Sequence, residues 1–271
     1  MNEELGSTLM SLNLRKLGVA PLPIAATLAL LFGVFGIGEE LIYQSVLLEV
    51  VLNVFLVLAV SIVVARISVK SFLSTGSTNV LLLGTAVLAF GTMATLGGYV
   101  SSIDVNKGIA VYSLGSLTAG CLHLASAILT YRGSPRRTTR LKLRVGVSYV
   151  GTIAFLTMLS VLAIESILPG GFGMPGSFAQ RAAAATSLSL FTISALFFSR
   201  VYLRSHNPIL YWYSLALWAT AVGFLSFFGT KGNGDPLLWT GIASICIGSV
   251  YFLFSIRASP NLRSDKKPPE Q

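Results

Sequence analysis

The stretch Arg132-Gly133-Ser134-Pro135-Arg136-Arg137-Thr138-Thr139-Arg140-Leu141-Lys142-Leu143-Arg144 carries six cationic residues and no acid at the middle of a 271-residue chain. Only 11% of the chain is charged, and the sequence on either side of this stretch is almost wholly apolar. The stretch therefore divides the chain into two apolar halves. Because basic loops between membrane spans stay on the cytoplasmic side, it also predicts how such a chain is oriented.

Composition then indicates the fold class. Apolar residues make up 54% of the sequence, and the mean hydropathy is +0.77. Soluble domains carry about 25% charged residues, so the low charge here excludes an ordinary soluble domain. Apolar runs recur that are long enough to cross a hydrocarbon core of about 30 Å as helices. These runs lack the alternation of barrel strands, and backbone groups in lipid must be satisfied internally. We therefore predict an all-α integral membrane protein.

Eight transmembrane helices are predicted, joined by short loops. Loops on the N-terminal side of the membrane hold 16 of the 19 Lys and Arg residues, whereas the opposite side holds only Lys107, Arg181 and Lys231. The positive-inside rule then places both termini in the cytoplasm and the protein in the cell membrane. The same bias explains the net charge of +9 without a nucleic-acid partner. The predicted spans are residues 20–38, 45–65, 79–100, 108–131, 145–167, 182–203, 208–229 and 236–256.

Residues 1–260 are predicted to form one polytopic membrane domain, and the polar residues 261–271 a disordered cytoplasmic tail. Two repeats of four spans, residues 15–135 and 144–260, are also predicted. The fourth span leaves the membrane at Arg-Gly-Ser-Pro from Arg132, and the eighth at Arg-Ala-Ser-Pro from Arg257. Four spans per half give both halves the same orientation, which is a parallel four-plus-four repeat. Membrane borders favour Arg, Ser and Pro in any protein, so chance similarity stays an alternative.

Polar side chains within spans are costly and therefore mark candidate functional positions. Glu49 lies about one turn into the second span with Asn53 on the same helical face, which predicts a ligand-binding or proton-responsive group; the alternative is a helix-packing carboxylate. His123 is a candidate proton sensor or a neutral imidazole bonded between helices. Trp218 fits an interfacial belt poorly and is a candidate cavity-lining residue. Glu49 and His123 differ in depth by roughly 15 Å, so we do not expect them to pair.

Cysteine and catalytic patterns point away from metal and enzyme chemistry. Cys121 and Cys246 lie in predicted spans and are expected to be small buried hydrophobes, with no disulfide or metal site. Gly232-Asn233-Gly234-Asp235 has the Gly-x-Gly-Asp pattern of intramembrane aspartyl proteases, but no predicted span provides their second aspartate. Haem ligation in a bundle commonly needs paired histidines, and only His123 lies in a predicted span. We predict no cofactor and no catalytic residue.

The last hairpin contains the runs Leu210-Tyr211-Trp212-Tyr213-Ser214-Leu215-Ala216-Leu217, Gly234-Asp235-Pro236-Leu237-Leu238-Trp239-Thr240-Gly241 and Gly248-Ser249-Val250-Tyr251. Together they resemble the membrane-integral sensor region that precedes PAS and kinase domains in archaeal and bacterial sensor histidine kinases. In those kinases the last span continues into a cytoplasmic signalling domain, whereas about fifteen residues follow it here. The resemblance implies a stand-alone sensor module that signals through a partner, or one that no longer signals.

These observations predict a multi-pass sensor or receptor-like protein without enzyme activity, which binds a small or lipophilic ligand. The alternatives are a small-solute transporter and a non-catalytic accessory subunit of a membrane complex. The repeat favours transport, whereas the scarcity of polar groups and broken helices in the spans argues against it. A cytoplasmic signalling protein is the expected partner, and its expected contact is a basic surface formed by Arg132, Arg136, Arg137, Arg140, Lys142 and Arg144.

Overall fold

A computed structural model describes residues 19, 21–35, 45–133, 140–165, 167, 174, 176–230 and 235–258. The predicted tail at 261–271, Arg136, Arg137 and the Gly-x-Gly part of the protease-like pattern lie outside these residues. The described residues form eight helical stretches: α1 (Pro21–Phe35), α2 (residues 46–75), α3 (Thr78–Ser101), α4 (Val105–Arg132), α5 (Leu141–Ile164), α6 (Phe178–Ser205), α7 (Pro208–Gly229) and α8 (Pro236–Arg257).

Seven of these helices, α2 to α8, are long and apolar enough to cross a membrane. The eighth, α1, has 15 described residues, which is fewer than the roughly 20 that a span needs. Helices are the expected secondary structure in lipid, because the backbone N–H and C=O groups of a helix form hydrogen bonds within the same segment. The prediction of an all-helical, multi-pass membrane protein is therefore confirmed at the level of seven spans.

Helix α2 is longer than the sequence predicts. It ends at Thr75 rather than near residue 65, so that Arg66 and Lys70 belong to the helix and not to a loop. No Gly or Pro interrupts the last part of α2, and Gly76 then supplies the left-handed conformation (φ 70°) that ends it. Long cationic side chains reach from a helix to the membrane border, which is why a boundary inferred from charge falls too early.

The bundle has two chemically different ends. At the acidic end, α3 meets α4 where Ser101 packs on Gly108, and α7 meets α8 where Leu237 packs on Gly229. This end holds Glu49, Asp104, Glu165 and Asp235, together with Lys107 and Arg181. The basic end has no acid among the described residues. It holds Arg66, Lys70, Arg132, Arg140, Lys142, Arg144, Arg200, Arg204 and Arg257.

Side-chain caps fix the helix starts at the acidic end. The Asp104 carboxylate accepts two backbone N–H groups in the first turn of α4, at 2.9 and 3.2 Å. Asp235 accepts one at the start of α8, at 2.8 Å. Ser45 and Ser177 cap α2 and α6 through their hydroxyl oxygens, at 3.3 and 3.1 Å. Each cap satisfies an N–H group that a helix cannot satisfy itself.

Aromatic side chains fill the centre of the bundle. The ring of Phe191 on α6 lies 5.7 Å from that of Phe90 on α3 and 5.2 Å from that of Phe224 on α7, measured between centroids. His123 on α4 and Phe252 on α8 continue this cluster, with ring centroids 6.1 Å apart. These distances are typical of favourable aromatic pairs. The cluster joins five helices into one core.

The two cysteines differ in their surroundings. Cys246 on α8 is buried, as predicted, whereas Cys121 on α4 is exposed on the surface of the bundle, so the prediction for Cys121 is wrong. The physical reason is the solvent. A helix that faces lipid meets an apolar environment on its outer side, where a thiol is as acceptable as in the core.

Candidate functional site

Glu49 and Asn53 lie on one face of α2, as their spacing predicts, and this face meets Gly98 on α3. A Cβ atom placed on Gly98 would lie 3.1 Å from the Asn53 Nδ2 atom and 3.7 Å from the Glu49 Oε1 atom. Asn53 is 7% exposed, and Glu49 is half-buried. No hydrogen bond or ion pair joins the Glu49 carboxylate to another described residue. The pair is therefore a polar position inside a membrane helix, without a charge partner in the described part of the chain.

The helix is irregular at this position. Residues Asn53–Leu58 form a π-helical segment between the α-helical parts Val46–Leu52 and Ala59–Thr75. A π-helical segment adds one residue to a helix and frequently lies at a functional site. The Thr95 hydroxyl on α3 donates to the Asn53 carbonyl oxygen at 3.2 Å. This bond gives a partner to a carbonyl group at the start of the irregular segment.

Three glycines of α3 explain why the extra residue is needed. Gly84, Gly91 and Gly98 recur every seven residues and face Ser68, Ser61 and Asn53 of α2, in that order. The partners on α2 are seven and then eight residues apart. The eighth residue falls in the π-helical segment, which thus keeps Asn53 in register with Gly98. Small residues at such contacts let helix backbones approach closely in lipid.

Tyr112 on α4 is a third member of the site that sequence reasoning missed. Its hydroxyl group is inaccessible and has no hydrogen-bond partner among the described residues. Its Cβ atom lies 3.0 Å from the place that a Cβ atom on Gly97, the residue before Gly98, would take. The Tyr112 ring packs edge-on against Phe227, with centroids 5.6 Å apart. Tyr112 lies about one turn inside the predicted border at residue 108, and tyrosines usually lie near the interface, so no signal in the sequence marks it as a site residue.

His123 lies apart from this site in the aromatic centre. It is fully buried, and its Nδ1 atom forms a 2.7 Å hydrogen bond with the Tyr213 hydroxyl on α7. Its Nε2 atom has no partner among the described residues. Of the two interpretations open from the sequence, this geometry favours an imidazole that joins helices. No contact between His123 and Glu49 is found in the described structure.

Trp218 also lies apart from Glu49. Its indole N–H donates to the Ser199 hydroxyl on α6 at 3.4 Å, so it joins α7 to α6. A different tryptophan, Trp239, lines a groove of about 480 Å³ between α1 and α8, together with Ile24, Leu28 and Ile247. The lining is almost wholly apolar, which suits an acyl chain or another lipophilic group.

The basic end is the remaining candidate surface. Four of the six predicted residues, Arg132, Arg140, Lys142 and Arg144, are described and exposed there. Arg204 on α6 lies over the Tyr131 ring on α4, 5.4 Å from its centroid. This contact places the C-terminal ends of α4 and α6 side by side, so their cations contribute to one surface.

The described residues contain no group of three His, Cys, Asp or Glu side chains that could hold a metal ion. The arrangement that remains is the half-buried Glu49 carboxylate beside the Asn53 amide, whose Nδ2 atom faces Gly98, with Tyr112 packed on the neighbouring Gly97. The carboxylate can accept hydrogen bonds and attract positive charge. Compared with known proteins, the chain matches no family model, no curated protein and no solved structure.

Proposed function

We propose that the protein is a receptor-like membrane sensor that binds a small ligand at Glu49, Asn53 and Tyr112. The observation that carries this proposal is the Glu49 carboxylate, which lies within a membrane helix without a charge partner in the described part of the chain. Ionisable groups inside a membrane are expensive. A neutral side chain could fill a purely structural role at a lower free-energy cost. We therefore attribute the carboxylate to the binding of a ligand.

The packed centre of the bundle favours ligand binding over transport of a solute through the bundle. Between Glu49 and the basic end, the bundle is filled by contacting rings, of which Phe191, Phe224 and Tyr213 are 0–1% exposed. A ligand that enters from the acidic end would meet these rings and stop. Transport would require them to move, and interiors packed at this density resist small displacements. Transport is the second candidate, because the π-helical segment next to Glu49 is the kind of helix irregularity that transporters place at substrate sites.

We propose eight spans with both termini in the cytoplasm. Supporting this orientation, the nine described cations of the basic end face no described acid, which is the asymmetry of the positive-inside rule. The acidic end, with Glu49, is then extracellular. The short turns at Gly76–Ser77 and His206–Asn207 support antiparallel neighbours, and α1 then supplies the eighth span.

A parallel repeat of α1–α4 and α5–α8 is supported by the neighbours of each helix. Within the first half, α3 packs on α4 and α2 packs on α3. Within the second half, α7 packs on α8 and α6 packs on α7 in the same way. Between the halves, the fourth helix of each half packs on the second helix of the other: α4 on α6, and α8 on α2. The first helix of each half packs on the third and fourth helices of the other: α5 on α3 and α4, and α1 on α7 and α8. Such a pattern is expected from a two-fold axis along the membrane normal. One departure is a small contact of α5 with α2.

The helix ends support the same repeat. Ser45 and Ser177 cap the second helix of each half, and Asp104 and Asp235 cap the fourth. The second helices also both end on a residue in the left-handed conformation, Gly76 (φ 70°) and His206 (φ 52°).

Signalling through a cytoplasmic partner, without enzyme activity, completes the proposal. It rests on the resemblance of the last hairpin to kinase sensor regions and on the exposed cations at the ends of α4, α5, α6 and α8. An acidic surface on the partner would complement them.

Native purification followed by mass spectrometry tests this function, with proteoliposome flux as its counterpart. We expect a small ligand or a stoichiometric partner to co-purify, and no solute flux. Flux that Glu49→Gln abolishes would show that the protein is a transporter. A fixed partner without any ligand would favour the accessory-subunit alternative.

A further inference from the structure

We propose that the surface where α2 meets α5, at the basic end of the bundle, binds an anionic phospholipid. This α2–α5 surface lies away from Glu49, and its lipid is independent of the ligand proposed there. A hydrogen bond joins the two helices: the Tyr149 hydroxyl on α5 donates to the Ala65 carbonyl oxygen on α2 at 3.2 Å. The contact of α5 with α2 is a departure from the repeat of the two halves, so it marks a place where the halves differ.

One face of α5 continues from this contact to the basic end. Lys142 lies seven residues before Tyr149, which is about two helical turns, so both residues share that face. Gly146 lies between them on the same face, four residues after Lys142 and three before Tyr149. Lys142 is exposed, and at 1.5 Å per residue it lies roughly 10 Å nearer the basic end than Tyr149. The face of α5 that reaches α2 therefore carries a cation just beyond the contact.

A matching row of residues on α2 carries two further cations. Ile62, Arg66 and Lys70 follow one another at intervals of four residues, so they share one side of the helix, and all three are exposed. Arg66 directly follows Ala65, and Lys70 lies roughly 7 Å nearer the basic end than Ala65. Lys70 and Lys142 are thus at similar depths. Because long cationic side chains can extend along a helix, the three cations can meet at one anionic group.

The charge of the α2–α5 surface favours an anionic partner. Every acid among the described residues lies at the opposite end of the bundle, so Arg66, Lys70 and Lys142 form a patch of one sign. Basic pockets between membrane helices bind the phosphate groups of anionic lipids. Each Lys or Arg near such a headgroup is worth about a fivefold gain in affinity.

The apolar part of the same surface favours a lipid over a free anion. On the interior side of the contact between Tyr149 and Ala65 lie Ile62, which is 52% exposed, and Ile153, which is 47% exposed. They are three and four residues from the contact, so they lie at similar depths. Between Ile153 and the cations, a Cβ atom placed on Gly146 would have no neighbour within 4 Å. A phosphate at the cations can therefore continue into an acyl chain along the two isoleucines, whereas a free phosphate would leave them unused.

The test is native mass spectrometry of the full-length protein, which is delipidated in detergent and then titrated with defined lipids. Phosphatidylglycerol and phosphatidylcholine with the same acyl chains are compared, together with glycerol phosphate, which has the anionic group but no chain. We expect phosphatidylglycerol to bind saturably and at least about tenfold more tightly than phosphatidylcholine, whose headgroup has no net charge. Glycerol phosphate should bind more weakly than phosphatidylglycerol by a similar factor, because it leaves the apolar part of the surface uncovered.

Arg66→Gln and Lys142→Gln should each weaken phosphatidylglycerol binding by about fivefold. The matched control is Arg200→Gln, which removes an exposed cation of the same end from α6 and should leave this affinity unchanged. Gly146→Leu should weaken lipid binding by covering the open part of the α5 face, without lowering the melting temperature of the lipid-free protein. Its control is Gly151→Leu, since Gly151 is equally open but lies on the opposite side of α5, nine residues after Lys142.

The inference is overturned if phosphatidylcholine or glycerol phosphate binds as tightly as phosphatidylglycerol, or if Arg200→Gln weakens binding as much as Lys142→Gln. Release of a cytoplasmic protein by Arg66→Gln and Lys142→Gln, with lipid binding unchanged, would make the surface a protein interface instead. Dimers that Gly146→Leu dissociates, again with lipid binding unchanged, would assign it to a second copy of the chain. None of these results bears on ligand binding at Glu49, so the two proposals fail separately.

Discussion

At the scale of single residues, the hydrogen bond between His123 and Tyr213 shows how polar groups stabilise a membrane core. Both side chains are fully buried, and the 2.7 Å bond satisfies one ring nitrogen of His123 and the Tyr213 hydroxyl together. The stacking of His123 on Phe252, with an interplanar angle of 5°, fixes the ring that makes this bond. The bond joins α4 to α7 across the centre of the bundle, so both residues are expected to matter for stability and not for ligand binding.

Tyr213→Phe should lower the free energy of unfolding by about 1–3 kcal/mol, because it leaves a buried imidazole without a partner. His123→Leu should also destabilise the protein. The double variant should lose less than the sum of the two single losses, with an interaction energy of about 1 kcal/mol. Unfolding in mixed micelles measures all three.

Tyr99→Phe is the matched control, since Tyr99 is 57% exposed at the acidic end, and it should change stability by less than about 0.5 kcal/mol. Strictly additive losses at His123 and Tyr213 would contradict a stabilising bond between them.

At the scale of helices, the contact between α2 and α3 sets the position of the candidate site. Gly91 is the middle one of the three glycines at this contact: a Cβ atom placed there would lie 2.6 Å from Ser61 Cβ and 3.2 Å from the Val57 carbonyl oxygen. Both distances are shorter than ordinary van der Waals contacts, and the Val57 carbonyl belongs to a backbone that cannot rotate away. Adding a methyl group therefore forces the helices apart and with them Asn53 from Gly98.

Gly91→Ala should accordingly destabilise the protein by about 1–3 kcal/mol, the usual cost of overpacking. Ser61→Gly in the same chain should restore much of the lost stability, since it removes the opposing Cβ atom. Thermal unfolding of the single and the double variant measures both changes in stability.

The matched control is Gly151→Ala on α5, where an added Cβ would have no neighbour within 4 Å. In a helix this change should be neutral or stabilising by up to about 1 kcal/mol. Equal losses in the free energy of unfolding for Gly91→Ala and Gly151→Ala would show that α2 and α3 do not approach each other closely at Gly91.

The same helices show what a sequence can and cannot predict. The order and type of the helices follow from apolar runs, and the pairing of Glu49 with Asn53 on one face follows from their spacing. The π-helical segment Asn53–Leu58 does not, because its residues are apolar apart from Asn53 and contain neither Gly nor Pro. The segment is required by the seven-residue spacing of the three glycines on α3, which lies elsewhere in the sequence. Tyr112 joins the site through the same non-local packing.

At the scale of the whole molecule, the two halves depend on each other. The first helix of each half packs against the third and fourth helices of the other half: α1 on α7 and α8, and α5 on α3 and α4. A half that folded alone would leave these apolar faces without the helix that covers them, and it would also lose the contact between α4 and α6. The central basic stretch is the covalent joint between the halves, but the packing across them does not need it.

Cutting the chain between Arg137 and Thr138 and co-expressing the two pieces should therefore give a complex that purifies in a 1:1 ratio, because a polar connection is where a break is best tolerated. Either piece expressed alone should be recovered poorly or as aggregates. A cut after Ser102 is the matched control, because it separates α3 from α4. These two helices contact each other closely at Gly97, Gly108 and Gly115. The two pieces from this cut must re-form that contact without a covalent connection, so the yield of their complex should be lower. If either four-helix piece were stable and monodisperse by itself, the helices would pack within each half and the interlocked repeat would be wrong.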